Sequence, residues 1–158
     1  MPFEELTYIL SPIILITTSL LVLMINFFVS KKFVVLITAL VGLFLSALIL
    51  LIQFIGFESK ENIFFATLVF DKFYIFSALT IILITFFILL AFSDYIINQI
   101  TFRSEFISLL ILSLVGSLFV IMSIDFITIY LSLELASLPI ISLVAFGRGK
   151  FSLEAAFK

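Results

Sequence analysis

Long runs without a single charged residue constrain this chain more than any other feature. Residues 6–30 and 33–57 each contain 25 uncharged residues, and shorter uncharged runs follow at 73–93 and 106–124. About 20 consecutive apolar residues are needed to cross the hydrocarbon core of a bilayer. A chain that is 65% hydrophobic and only 11% charged also has too few polar side chains to cover a water-exposed surface. The sequence therefore predicts an integral membrane protein.

The run lengths predict an all-α fold in a single membrane domain, residues 1–158. The predicted transmembrane helices span residues 6–30, 33–57, 73–93, 106–124 and 126–146, and a sixth helix begins near residue 152. The short apolar run 63–70 lies in the longest predicted loop and is too brief to cross a bilayer, so we expect an interfacial segment or a strand pair there.

Gly42 and Ser46 lie four residues apart in the second predicted helix. Small residues at this spacing let two membrane helices approach each other closely. We therefore expect an ordinary helix-packing face at these two positions.

One carboxylic acid interrupts the last apolar run. Glu134 lies near the middle of residues 123–146, where an ionisable side chain costs about 2.5–3.5 kcal/mol on insertion scales. Pro139 follows five residues later and removes the backbone donor of the Leu135 carbonyl, which loosens the turn and makes a site for water. The residues alone leave two interpretations open: Glu134 carries protons, or it makes a structural hydrogen bond to a neighbouring helix. Asp125, by contrast, is interpreted as an interfacial acid at a helix N-terminus, where the helix dipole favours negative charge.

The sequence around Glu134 resembles a known family. Residues 131–139 read LSLELASLP, and residues 152–158 read SLEAAFK after a basic turn. These segments resemble the N-type antiporter-like subunit of respiratory complex I, the family called NADH dehydrogenase subunit 2 in mitochondria. The related M-type and L-type subunits typically place Trp before this acid, whereas Leu133 stands there in this chain, which favours the N-type assignment.

The resemblance implies a role for two residues. Glu134 matches the family's helix 5 glutamate and Lys158 the lysine of its helix 6 motif, and in the family these belong to a hydrated chain of buried Glu and Lys side chains that relays protons. It also implies a non-redox subunit of a proton-translocating NADH:ubiquinone oxidoreductase, with no catalytic activity in isolation. The expected partners are other membrane subunits of complex I and membrane lipid, without nucleic acid.

No cofactor is expected in this chain. Cysteine and histidine are absent, which excludes disulfides and the usual zinc, haem and iron–sulfur ligands, and no Gly-rich phosphate loop is present. The 22 phenylalanines suit an AT-rich organellar genome, so the expected location is the mitochondrial inner membrane, with the bacterial plasma membrane as the alternative. Two other functions stay open: a subunit of a related cation/proton antiporter or membrane-bound hydrogenase, and a purely structural membrane subunit.

Members of this family contain two inverted five-helix repeats, each with a broken helix that carries a proton-handling lysine. Residues 1–158 match the leading helices and part of the first repeat. We therefore expect that a separate chain supplies the remaining helices of the same subunit.

Basic residues are distributed unevenly between the two sides of the predicted helices. One side carries Lys31, Lys32, Arg103, Arg148 and Lys150, and the other carries Lys60 and Lys72. Because loops on the inner side of a membrane are enriched in Lys and Arg, the first group is predicted to lie inside and the N-terminus outside.

Single cysteines test this topology cleanly because the chain has none of its own. Cysteines introduced at Ser30 and at Ser59 are expected to react with a membrane-impermeant maleimide from opposite sides. Labelling of both positions from the same side would contradict the predicted orientation.

Overall fold

A computed structural model describes residues 6–28, 32–56, 61–64, 66–100 and 102–145 of the chain. The helices and strands within these residues are, in chain order, α1 Leu10–Phe28, α2 Lys32–Ile55, β1 Glu61–Ile63, β2 Leu68–Phe70, α3 Lys72–Ala91, α4 Ser93–Gln99, α5 Arg103–Met122 and α6 Phe126–Ala145.

Four long helices form a closed ring. Helix α1 packs against α2 and α5, and α3 closes the ring by packing against α2 and α5. Each helix turns one stripe inward: Ile75, Ile82 and Leu89 of α3 recur every seven residues and are fully buried. Seven residues make nearly two helical turns, so these side chains share one face. Helix α6 lies outside the ring.

Helices α1 and α2 cross where the sequence predicts close packing. A Cβ atom placed on Gly42 would lie 2.1 Å from Cγ2 of Thr18, so only glycine allows this approach. One turn further on, the hydroxyl groups of Ser46 and Ser11 are 2.7 Å apart and buried. The expected packing face at Gly42 and Ser46 is therefore confirmed.

The short apolar run between α2 and α3 forms a strand pair, as one of the two expectations had it. Strands β1 and β2 are antiparallel, and Phe64 and Ala66 turn the chain between them with φ angles of 51° and 61°. The hairpin is attached to the α5–α6 connection, because the backbone N–H of Ile124 donates to the Thr67 carbonyl over 2.9 Å. This attachment places the hairpin and the start of α6 at the same end of the bundle.

The connection between α3 and α5 contains more helix than the sequence suggests. The sequence predicts helices over residues 73–93 and 106–124, whereas α4 occupies part of the interval between them and α5 begins at Arg103 instead of residue 106. Charged residues are compatible with helix ends: Glu105 lies in the first turn of α5, where the dipole favours an acid. The Arg103 side chain donates through Nε to the Ile97 carbonyl over 2.8 Å, which satisfies a free carbonyl near the end of α4.

The fold class predicted from the sequence, an all-α membrane protein, is confirmed. Four helices within the described residues are long and apolar enough to cross a bilayer: Phe33–Ile55, Lys72–Ala91, Arg103–Met122 and Phe126–Ala145. Helix α1 contributes a fifth apolar segment, Leu10–Ile25, which is shorter than the other four. The predicted sixth helix lies outside the described residues.

The α1–α2 crossing predicts the effect of a larger side chain at Gly42. Gly42→Val should destabilise the protein by about 1–3 kcal/mol, because the new side chain must displace the β-branched Thr18. Thermal unfolding of the protein in detergent measures this loss. Gly56→Ala is the matched control, since a Cβ atom there meets nothing nearer than 3.8 Å. Equal stability of the Gly42→Val variant and the control would show that the crossing is not tight.

Candidate functional site

Helix α6 carries the intramembrane acid, and it is the least covered of the long helices. Among the described helices, its extensive contact is with α5. Only Ser132 and Pro139 of its 20 residues are buried. These two lie seven residues apart and therefore face α5 together, which leaves the opposite side of α6 uncovered by the described helices.

The contact between α5 and α6 brings the two backbones together. A Cβ atom placed on Gly116 would lie 2.3 Å from the backbone nitrogen of Ala136 and 2.7 Å from the carbonyl carbon of Leu135. No side chain fits in such a space, so glycine at this position sets the separation of the helices. The Ser113 hydroxyl, one turn earlier on α5, donates to the Ala136 carbonyl over 2.8 Å.

Asp125 fixes the start of α6. Its carboxylate accepts a hydrogen bond from the Ile127 backbone N–H over 3.2 Å, and its carbonyl accepts from the Ile129 N–H over 2.9 Å. The side chain is exposed at the end of the helix. This confirms the interpretation of Asp125 as an acid at a helix N-terminus.

Glu134 lies near the middle of α6, about 12 Å along the axis from Phe126 at 1.5 Å per residue. It follows Ser132 by two residues, a rotation of about 200°, and so points away from α5. Tyr130 precedes it by one turn on the same exposed face, so the two side chains are neighbours on the helix surface. Ser137 follows by one turn and donates to the Glu134 backbone carbonyl over 3.4 Å.

The sequence-based expectation that Glu134 is buried is not met by the described residues. The side chain is exposed, because α6 has a neighbour on one side only and Glu134 lies on the other. Lys158, the second predicted site residue, lies outside the described residues. The structure therefore brings Glu134 together with Tyr130 and Ser137, and it leaves the pairing of Glu134 with Lys158 a prediction.

Pro139 does not break α6, which continues from Phe126 to Ala145. Proline has no N–H to donate, so the Leu135 carbonyl has no donor within the helix. The helix is supported at this point from outside, because Gly116 lies against residues 135 and 136 and Ser113 donates to Ala136. The turn after Glu134 is thus held by α5 where its own hydrogen bonding is weakest.

A groove runs between α3 and α6 over the surface of α5. Its volume is about 320 Å³, and its walls are mainly Ile and Leu side chains with the hydroxyl groups of Thr85, Ser113 and Ser117. Each hydroxyl already donates to a carbonyl: Thr85 to Ile81, Ser113 to Ala136 and Ser117 to Ser113. The groove is consequently apolar in practice, and it lies on the side of α6 away from Glu134.

Sequence reasoning found Glu134 and Pro139 but missed three residues around them. Ser113 and Ser117 lie four residues apart on α5 with Gly116 between them, and Tyr130 is four residues before Glu134. Both spacings were visible signals, since small residues mark close helix contacts and residues four apart meet on one helix face. Within the part of the chain that the structure describes, no cluster of acidic residues has the arrangement of a metal site.

These features define a class of protein. It is a multi-pass helical membrane protein with a carboxylic acid at the middle of one spanning helix, beside a proline-interrupted turn. Such an acid is able to bind and release a proton or to pair with a cation from another helix.

Comparison with known proteins finds two similar membrane-complex subunits of the same kind. The chain is 32% identical over 148 residues to NADH-quinone oxidoreductase subunit N 1 of Herpetosiphon aurantiacus, an alignment that covers 93% of this chain and 30% of the relative. It is also 32% identical over 155 residues to NADH-quinone oxidoreductase subunit N of Helicobacter acinonychis, with 95% of this chain and 30% of that relative covered. The resemblance to the N-type subunit is therefore confirmed. No family model matches the chain.

The chain spans about 30% of the length of these two relatives. Most of each relative therefore has no counterpart in residues 1–158.

Proposed function

We propose that this chain is a membrane-arm subunit, or part of one, of a proton-pumping NADH-quinone oxidoreductase, and that Glu134 belongs to its proton path. The observation that carries the proposal is the position of Glu134. It lies at mid-length of a spanning helix, on the face that the described helices leave uncovered. The similarity to two N subunits of NADH-quinone oxidoreductase indicates the kind of complex in which we propose that this acid transfers protons.

Hydrocarbon is a poor environment for this face. A carboxylate at the bilayer centre costs several kcal/mol unless it meets a partner or water, and it is usually found facing a protein interior. Glu134 with Tyr130 makes one polar strip on α6 between exposed apolar residues such as Ile127 and Ile141. We infer that helices from outside residues 1–158 cover this strip and bring a basic group or water to it. Within this chain itself, Lys158 is our candidate for a further basic group.

The chain's part in the reaction is to hold and pass protons, with electron transfer carried out elsewhere in the complex. A carboxylic acid alternates between a neutral and a charged form, and a nearby lysine or water favours the charged one. Alternation of this kind moves a proton stepwise between neighbouring sites. The chain's described residues provide the scaffold for one such site, and we expect no NADH oxidation by the isolated chain.

The multi-pass architecture rests on the four membrane-competent helices. Both similar proteins come from bacteria, which fits a bacterial plasma membrane. The mitochondrial inner membrane stays a prediction from the phenylalanine-rich composition.

Replacement of Glu134 by glutamine tests the proposal. Glutamine keeps the volume and much of the hydrogen bonding but cannot ionise. We expect the complex to assemble and its proton pumping to fall by about tenfold or more, because a positioned acid–base group commonly contributes 100-fold or more. Proton uptake and NADH oxidation are measured together in membrane vesicles.

Asp125→Asn is the matched control for this substitution. It also removes one carboxylate from the α6 region, but at the exposed end of the helix, where asparagine still caps the first turn. Its proton pumping should equal that of the wild type. An assembled Glu134→Gln complex with unchanged protons per electron would exclude Glu134 from the proton path and favour a purely structural role.

The expectation that a separate chain supplies further helices has its own test. Mass spectrometry of the intact native complex should find a polypeptide with the mass of residues 1–158 together with another membrane chain of the same subunit. Peptide coverage that continues past Lys158 without interruption would contradict this expectation and would place the further helices on the same chain.

A further inference from the structure

The hydroxyl group of Ser113 makes a contact that differs from those of its neighbours. Thr85 and Ser117 line the same groove, and each donates to a carbonyl one turn earlier in its own helix. Ser113 instead donates across to α6, to the Ala136 carbonyl, over 2.8 Å. Its side chain is 8% exposed, so water does not compete effectively for this bond.

The acceptor of this bond lies in the turn that follows Glu134. Ala136 is two residues beyond the acid and three before Pro139, in the turn whose Leu135 carbonyl has lost its helical donor. Gly116 presses on the same two residues through its backbone. The Gly116 contact sets the distance between α5 and α6, and the directional Ser113 bond sets the rotation and height of α6 against α5.

Rotation of α6 decides where Glu134 points. The acid lies opposite the α5 contact, so any turn of the helix about its axis carries the carboxylate sideways along the uncovered face. Among the described helices, α5 makes the extensive contact with α6 that resists such a turn. A displacement of about 1 Å at a reacting group is known to cost up to 100-fold in rate.

We propose that Ser113 is a positioning residue for Glu134, which holds the α6 turn in register through its hydrogen bond to Ala136. This rests on the proposed function, in which Glu134 exchanges protons with groups brought by other helices. Ser113 itself touches no proton in transit, and its effect is on the alignment of the acid.

The experiment uses the assembled complex in native membranes and compares four substitutions in this chain: Ser113→Ala, Ser113→Thr, Ser117→Ala and Glu134→Gln. Assembly is quantified on native gels, and protons pumped and NADH oxidised are expressed per assembled complex. We expect Ser113→Ala to lower proton pumping about two- to tenfold, the fold-change that corresponds to the free energy of one hydrogen bond if all of it acts on the alignment of Glu134. Ser113→Thr keeps the hydroxyl and should restore pumping, and Ser117→Ala should match the wild type.

The outcomes separate the two claims. If Glu134→Gln lowers pumping while Ser113→Ala pumps as the wild type does, the positioning role is wrong and the proposed function stands. If Glu134→Gln has no effect, the proposed function itself fails. A Ser113→Ala chain that does not assemble, or a Ser113→Thr variant no better than Ser113→Ala, overturns the positioning role in favour of a structural one.

Discussion

The backbone contact between α5 and α6 at Gly116 and Ala136 decides the form of the site. Because Gly116 lets the backbones of α5 and α6 touch, the contact with α5 holds α6 to the described bundle. One face of α6 packs against α5, and the described helices leave the opposite face, which carries Glu134, uncovered. The ring of α1, α2, α3 and α5 supports α6 through α5.

Hydrocarbon then imposes the second condition, because a carboxylic acid at mid-membrane depth needs a polar partner. Among the described residues, two neutral groups lie near Glu134. The Tyr130 hydroxyl is one turn away, and the Ser137 hydroxyl donates to the Glu134 backbone carbonyl. A side chain that transfers protons also needs a neighbouring group whose charge changes during the transfer. Under the proposed function, such a group comes from outside the described residues.

The sequence predicted the features that follow from the thickness and low polarity of a lipid bilayer. Each of the four uncharged runs coincides with one long apolar helix, the brief run 63–70 contains a strand pair, and the spacing of Gly42 and Ser46 marks a close crossing of α1 and α2. Helix ends were harder, since the uncharged run 106–124 leaves out Arg103 and Glu105 although both belong to α5. The direction of Glu134 was not predictable, because depth follows from counting residues whereas direction depends on which face α5 happens to cover.

A structure of the assembled membrane complex tests the central claim most directly, through what lies against the Glu134 face of α6. We predict protein helices from outside residues 1–158 along Tyr130 and Ile141, and a basic side chain or ordered water within hydrogen-bond distance of the Glu134 carboxylate, about 2.7–3.2 Å. Lipid acyl chains packed along this face, with Glu134 bonded only within α6, would contradict the account.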